Sequence, residues 1–211
     1  NAAQAKSASA APSETKLLII CRAQLAYTHG TILSFLRDRD EKTVTTINDH
    51  AGKMEENLKQ ADAKFATLDS KWASEREKLD VHFRILNARG YGRFRHAHFQ
   101  AVADDTKYRD LCRRAIEELE KANEARPNHY EVLQNIAMIY ADERFDPTSD
   151  SLPVAQRFFA RTKKFVPTDY YQYEQLAMIH WRRAQELATP DLVKPVIEAG
   201  RQEALNALKY R

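Results

Sequence analysis

Glycine and proline are scarce in this chain, and they are unevenly spread. Five Gly and seven Pro occur in 211 residues, with no Pro from 13 to 126 and no Gly from 93 to 199. A sandwich or barrel of short strands needs turn residues throughout, so an all-β fold is excluded. The same shortage removes the Gly-rich phosphate loop of a P-loop or dinucleotide-binding fold. Cysteine is rarer still. Cys21 and Cys112 sit far apart in apolar-patterned segments, without metal-ligand or redox spacing. Two buried free thiols are expected rather than a disulfide, which points to a reducing compartment, the cytoplasm. Long apolar runs are missing too. The nearest, 16–36, is interrupted by Arg22, Gln24 and His29, short of the ~18 uncharged apolar residues of a membrane span. Charge of one sign is not in excess: 33 Lys and Arg face 30 Asp and Glu, a net of +3. No global attraction to nucleic acid or a membrane surface follows from that balance.

Catalytic patterns are absent as well. There is no nucleophile elbow, no HExxH and no CxxC. His96 and His98 form an HxH pair, but two residues apart on a helix they diverge by about 200°. Asp104-Asp105 and Glu117-Glu118 diverge for the same reason. The expectation is a chain with no catalytic residue, no metal and no cofactor.

What is present is helical patterning. With 43% hydrophobic and 30% charged residues, the composition is that of long amphipathic helices rather than of a disordered chain. Residues 1–15 (NAAQAKSASAAPSET) are Ala/Ser-rich and read as a flexible arm. The chain opens on Asn1 without a Met, so an upstream targeting or membrane segment can have been removed.

From Val44 the apolar residues recur three and four apart: Val44, Ile47, Ala51, Met54, Leu58, Ala61, Phe65, Leu68, Trp72. After a break at Glu75, Leu79, His82 or Phe83, and Leu86 resume the series. A period of about 3.5 residues keeps one stripe on a partner helix. A long helix over 42–88 is expected, the alternative being a break near Gly52. Leu18, Cys21, Leu25, Thr28, Ile32 and Phe35 give a first helix over 15–37, with 38–42 as the turn of an antiparallel hairpin with coiled-coil character. The first helix spans about 35 Å and the second about 70 Å. The surplus stripe must then be covered by the C-terminal half or by a second copy, and a homodimer through the long helix is the expectation.

The second half repeats itself. Residues 130–139, YEVLQNIAMI, align with 170–179, YYQYEQLAMI. Ala115 and Ala155, Leu119 and Phe159, and Pro127 and Pro167 keep the same offset, which falls within the ~20–50-residue periods of solenoids. In three stretches this pattern resembles the tetratricopeptide repeats. One starts at His96, with Phe99, Val102, Ala103, Thr106, Ala115, Leu119, Ala122 and Pro127. One starts at Tyr130, with Leu133, Ile136, Ala137, Tyr140, Ala155, Phe159, Thr162 and Pro167, and an insertion in the loop 141–153. One starts at Tyr170, with Tyr173, Leu176, Ala177 and His180, its second helix lying within 192–210 without a fixed register.

The resemblance implies about three helix pairs over 96–211 in an α-solenoid, small residues letting the paired helices approach. The predicted architecture is therefore all-α, a hairpin over 16–89 followed by these pairs. The resemblance also implies a scaffold or adaptor that binds a protein or peptide in a concave groove. Carried over position by position, the groove residues are Asp104 and Tyr108, then Asn135 and Met138, then Tyr171, Glu174, Met178, Trp181 and Arg182. Met138, Met178 and Trp181 form either an adaptable apolar strip for a helix or peptide, or part of the core.

One segment suggests another class of partner. Arg84, Arg89, Arg93 and Arg95 lie without an acid among Phe83, Tyr91, Phe94 and Phe99. Such interleaving could stack bases and contact phosphates, making nucleic acid or another polyanion the weaker alternative. The plain reading is a junction, where Gly90-Tyr91-Gly92 breaks the helix and the arginines pair with acids such as Glu117 and Glu118. A purely structural oligomerisation module is the third reading.

Overall fold

The computed structural model describes residues 12–33, 41–68, 71–99 and 104–211. Among them the chain is all-α, with no strand. The helices are α1 (Pro12–Leu33), α2 (Glu41–Ala66), α3 (Glu75–Phe99), α4 (Asp105–Ala125), α5 (Tyr130–Ala141), α6 (Leu152–Phe165), α7 (Tyr170–Glu186) and α8 (Pro190–Tyr210). No described helix is long and apolar enough to cross a membrane. The 1–15 arm lies outside the described residues up to 11, and from Pro12 onward it is helix.

The expected 42–88 helix is two helices. α2 stays continuous through Gly52 but ends at Ala66, and α3 starts at Glu75. The stop is built locally. Thr67 N donates to Lys64 O at 3.1 Å and Leu68 N to Phe65 O at 3.1 Å, tightening the last turn. Ser74 then caps α3: Glu77 N donates to Ser74 Oγ at 3.2 Å while Glu77 Oε2 accepts from Ala73 N at 2.9 Å. This is a variant of the capping box, with S-E-R-E as its sequence sign.

The seam is covered within one chain. Met54, Leu58, Ala61 and Leu68 of the α2 segment are buried with Ile19, Ala23 and Ala26 of α1 and Val81, Ile85 and Ala88 of α3. Two helices share the stripe that was expected to need a second copy, so the ground for a homodimer through this seam falls away. The buried face of α1 is also rotated by one position. Ile19, Ala23, Ala26, Gly30 and Leu33 are buried, whereas Cys21 is exposed, as are Leu18 and Leu25. Small residues win the interior here because they allow the backbones to approach.

The glycines make the same point, and they correct the junction reading. Gly90 and Gly92 lie inside α3 and do not break it. A Cβ on Gly90 would stand 2.5 Å from Leu119 Cγ of α4, and one on Gly30 would stand 3.0 Å from the Gly92 Cα. A Cβ on Gly92 would fall onto the Met54 thioether. Three helices thus cross on α3 where side chains are missing.

From α3 onward, sequential helices pack in pairs: α3 on α4, α5 on α6 and α7 on α8, with α3, α5 and α7 also touching in order. Ala115, Leu119, Ala122, Leu133, Ile136, Ala137, Ala155 and Phe159 are all fully buried, as the repeat spacing predicts for contact positions. The first pair differs from expectation. His96 lies near the end of α3 and Asp104 caps α4, so the partner of α4 is α3 rather than a helix starting at His96. Thr162, which stands where the repeats carry Ala, is buried with its hydroxyl 2.6 Å from Gln172 Oε1. In the last pair Gly200 sets the register, a Cβ there standing 2.9 Å from the His180 Cβ.

The α5–α6 connection is knotted by two carboxylates. Asp142 accepts from the Tyr108 hydroxyl at 2.8 Å and from Arg144 N at 2.7 Å. Asp146 accepts from Ser151 N and Oγ, each at 2.6 Å, and from the Thr148 hydroxyl at 2.7 Å. Burial works against the Asp146 charge, but these hydrogen bonds outweigh it and hold the pKa at about 2. A carboxylate depressed in the fold stabilises it above the unfolded value, ~3.9, and that contribution fades as pH falls towards the folded value. Urea midpoints of the parent should therefore drop between about pH 4 and pH 2. Asp146→Asn should start lower at pH 6 and fall less over that interval.

Candidate functional site

Equivalent faces of α1, α3, α5 and α7 border a concave cleft. On α3 the row is Phe83, Asn87, Tyr91 and Arg95, each four residues on and therefore on one helix face. On α1 it is Ile20, Ala23, Gln24 and Tyr27, and on α5 Glu131, Gln134, Asn135 and Met138. Tyr170 and Tyr171 close the far end from α7. The cleft has two chambers, of about 280 Å³ and about 520 Å³, and Tyr27 and Glu131 line both. The close backbone approach at Gly30 and Gly92 brings α1 onto α3 here, and the Tyr27 and Tyr91 rings stack at 4.5 Å.

The walls are aromatic and rich in amides. Burial raises the Tyr27 hydroxyl pKa, with the Glu131 charge adding to it. Burial likewise raises Tyr171, against the opposing pull of Arg95, and raises Tyr130 beside Glu131. All three stay protonated donors at physiological pH. Burial lowers the His129 pKa and keeps that imidazole neutral; its ring packs on Phe83 at 4.8 Å. Such a surface offers ring faces and neutral hydrogen-bonding groups, which suit a chain of amides.

The nine groove residues expected from the repeat resemblance divide three ways. Asn135, Met138 and Tyr171 line the larger chamber. Met178 and Trp181 are exposed further along α7, Trp181 beside a separate apolar pocket formed with Ile197 and Gly200 of α8; Glu174 is exposed too. The remaining three serve the fold. Asp104 caps α4 through Thr106 N at 2.8 Å. Tyr108 is buried under Arg144, with its hydroxyl on Asp142. Arg182 reaches the Ala141 carbonyl, Ser149 and Glu143, pinning the 142–151 loop.

The arginine segment is mostly committed elsewhere. Arg84 pairs with Asp80 at 3.2 Å, Arg89 with Asp62 and Glu118, and Arg93 with Glu55 at 3.3 Å and Glu118 at 3.7 Å. Arg95 has no acid among the described residues and lies over Tyr91 at 5.0 Å and Phe94 at 5.4 Å. Glu118 matches the junction reading, while Glu117 is exposed. His98 meets Asp142 rather than His96, at 3.4 Å, and no group of three metal-ligating side chains occurs among the described residues.

Tyr27, Tyr91, Asn87 and Tyr130 were not among the groove positions drawn from the resemblance. The four-residue spacing of Phe83, Asn87, Tyr91 and Arg95 is the signal that could have found the α3 wall. Nothing in the sequence assigned α1 to the same cleft. No family model, no curated protein and no solved structure matches this chain.

Proposed function

We propose that this chain is a non-enzymatic protein-binding module of tetratricopeptide-like helix pairs, and that it holds an extended peptide in the cleft between α1, α3, α5 and α7. One observation carries the reading: helix faces from four elements line two adjoining chambers with tyrosines and side-chain amides. Amides such as Gln24, Asn87, Gln134 and Asn135 can pair with main-chain groups, and the rings supply contact area at low entropic cost. The polyanion reading loses its support, because Arg84, Arg89 and Arg93 are paired with acids. Free thiols at Cys21 and Cys112 fit a reducing compartment, and the cytoplasm is the proposed setting.

The test is selection of random linear peptides, displayed on phage, against the immobilised intact chain. The expected result is a convergent family of binders that compete with one another and raise the melting temperature of the chain. Failure to enrich any peptide would count against the reading.

A further inference from the structure

Four of the arginines on α3 follow one another between 84 and 95, and three of these are used by the fold. The fourth, Arg95, is half-buried with its guanidinium carbon over the Tyr91 and Phe94 rings. Its Nε is buried without a hydrogen-bond partner. The carboxylates of the cleft are already engaged. Asp169 accepts from Tyr171 N at 3.1 Å, Gln134 Nε2 at 3.2 Å and Gln172 Nε2 at 3.3 Å. Glu131 accepts from the Tyr130 hydroxyl at 3.2 Å. A buried charged donor left unpaired is costly, and an anion placed on it recovers a charge-assisted hydrogen bond.

Two more orphaned atoms belong to residues that line the smaller chamber, beyond Tyr27. Asn87 is 7% exposed, and its Oδ1 is buried with no partner; His129 Nδ1 is likewise alone. Asn87 Oδ1 can only accept, so it calls for an N–H. An occupant that satisfies the cleft therefore brings main-chain donors and acceptors to one chamber and an anion to the other.

Resting on the peptide-binding reading above, we propose that the cleft selects an extended peptide by one internal acidic side chain, its carboxylate seated on Arg95 while its main chain pairs with Asn87 and His129. An internal residue is favoured over a chain terminus by position. Arg95 lines the larger chamber together with Tyr27 of α1 and with Tyr170 and Tyr171 of α7. A chain ending there would leave Tyr170 and Tyr171 uncovered. A carboxylate is favoured over a phosphate by charge, since a dianion would face Glu131 and Asp169 with a single unpaired guanidinium to hold it.

Degenerate nonapeptide pools with acetylated and amidated ends test this on the immobilised intact chain. The central residue is Glu, Gln or phosphoserine, and a fourth pool carries central Gln with a free C-terminal carboxylate. The Glu pool should be retained about tenfold more strongly than the Gln pool. Arg95→Met should bring the Glu pool down to the Gln level without changing the Gln pool, with Arg95→Lys falling between. Both variants should melt close to the parent, because no ion pair is lost. Equal retention of Glu and Gln pools, both weakened by Tyr171→Ala, would overturn the acidic preference and leave the peptide reading standing. Preference for the free C-terminus or for phosphoserine would also overturn it. Retention of no pool would overturn both.

Discussion

Gly90→Val is expected to destabilise the chain by about 3 kcal/mol, whereas Gly52→Ala is expected to stabilise it by about 0.5–1 kcal/mol. Both glycines sit inside helices, so intrinsic helix propensity alone predicts a gain from either replacement. Their surroundings are opposite. Nothing lies within 4 Å of a Cβ built on Gly52. The first carbon added to Gly90 meets the Leu119 side chain, and 3.0 Å away lies the Ala115 carbonyl oxygen, which is backbone and cannot rotate aside. α3 and α4 must separate to admit a branched side chain, and the Phe94, Tyr108, Cys112 and Leu119 core opens with them. Interiors at crystal-like density tolerate that poorly. Denaturant titration of the two variants beside the parent decides it, through midpoints shifted in opposite directions. Equal shifts of one sign would show that α3 and α4 do not cross at Gly90.

Tyr171→Ala is expected to weaken binding of a selected peptide by about 2 kcal/mol, roughly thirtyfold, with Trp181→Ala changing it by less than about threefold. Tyr171 is half-buried in the larger chamber beside Arg95 and Asp169. Its ring can lose the remaining water on binding, which is where aromatic anchors contribute most. Trp181 is 60% exposed and belongs to the α7–α8 pocket, with Ala177 and Ala204. Isothermal titration of both variants with one selected peptide measures the difference. A larger loss from Trp181→Ala would move the site to the outer face of α7 and α8, where Leu192, Ile197, Leu205 and Leu208 are also exposed.

The contrast between these pairs shows what the sequence made legible. Periodic large residues marked the α4, α5 and α6 contact faces correctly, because Leu119, Ile136 and Phe159 bury wherever the helix points them. The buried face of α1 was hidden: Ala23, Ala26 and Gly30 carry little hydrophobic signal, and the neighbouring Leu18 and Leu25 carry more. Close approach, not apolar area, decided that face. The heptad series through Leu68 and Trp72, resumed at Leu79, argued for continuity where the Ser74-Glu77 cap starts a new helix. Leu68 and Trp72 lie between α2 and α3, and Trp72 packs on Phe65 with ring centres 5.1 Å apart.

The cleft was partly legible for a similar reason. Asn135, Met138 and Tyr171, drawn from the repeat resemblance, line the larger chamber because α5 and α7 turn them towards it. In the sequence Arg95 is one charge in a basic segment, and its difference from Arg84, Arg89 and Arg93 exists only in three dimensions. Their partners Asp62, Glu55 and Glu118 come from two other helices. Tyr27 enters the site through the Gly30–Gly92 crossing, a contact that no spacing within α1 encodes.

Binding of a peptide along the concave face between α1, α3, α5 and α7 is measured most directly by covalent mapping. A selected peptide carrying a photoreactive phenylalanine is irradiated with the intact chain, and the modified residues are found by mass spectrometry. Labels on Tyr27, Tyr91, Tyr130, Met138 or Tyr171, removed by excess unlabelled peptide, are the predicted result. Competed labels confined to Met178, Trp181, Leu205 and Leu208, with the concave face unmarked, would contradict it.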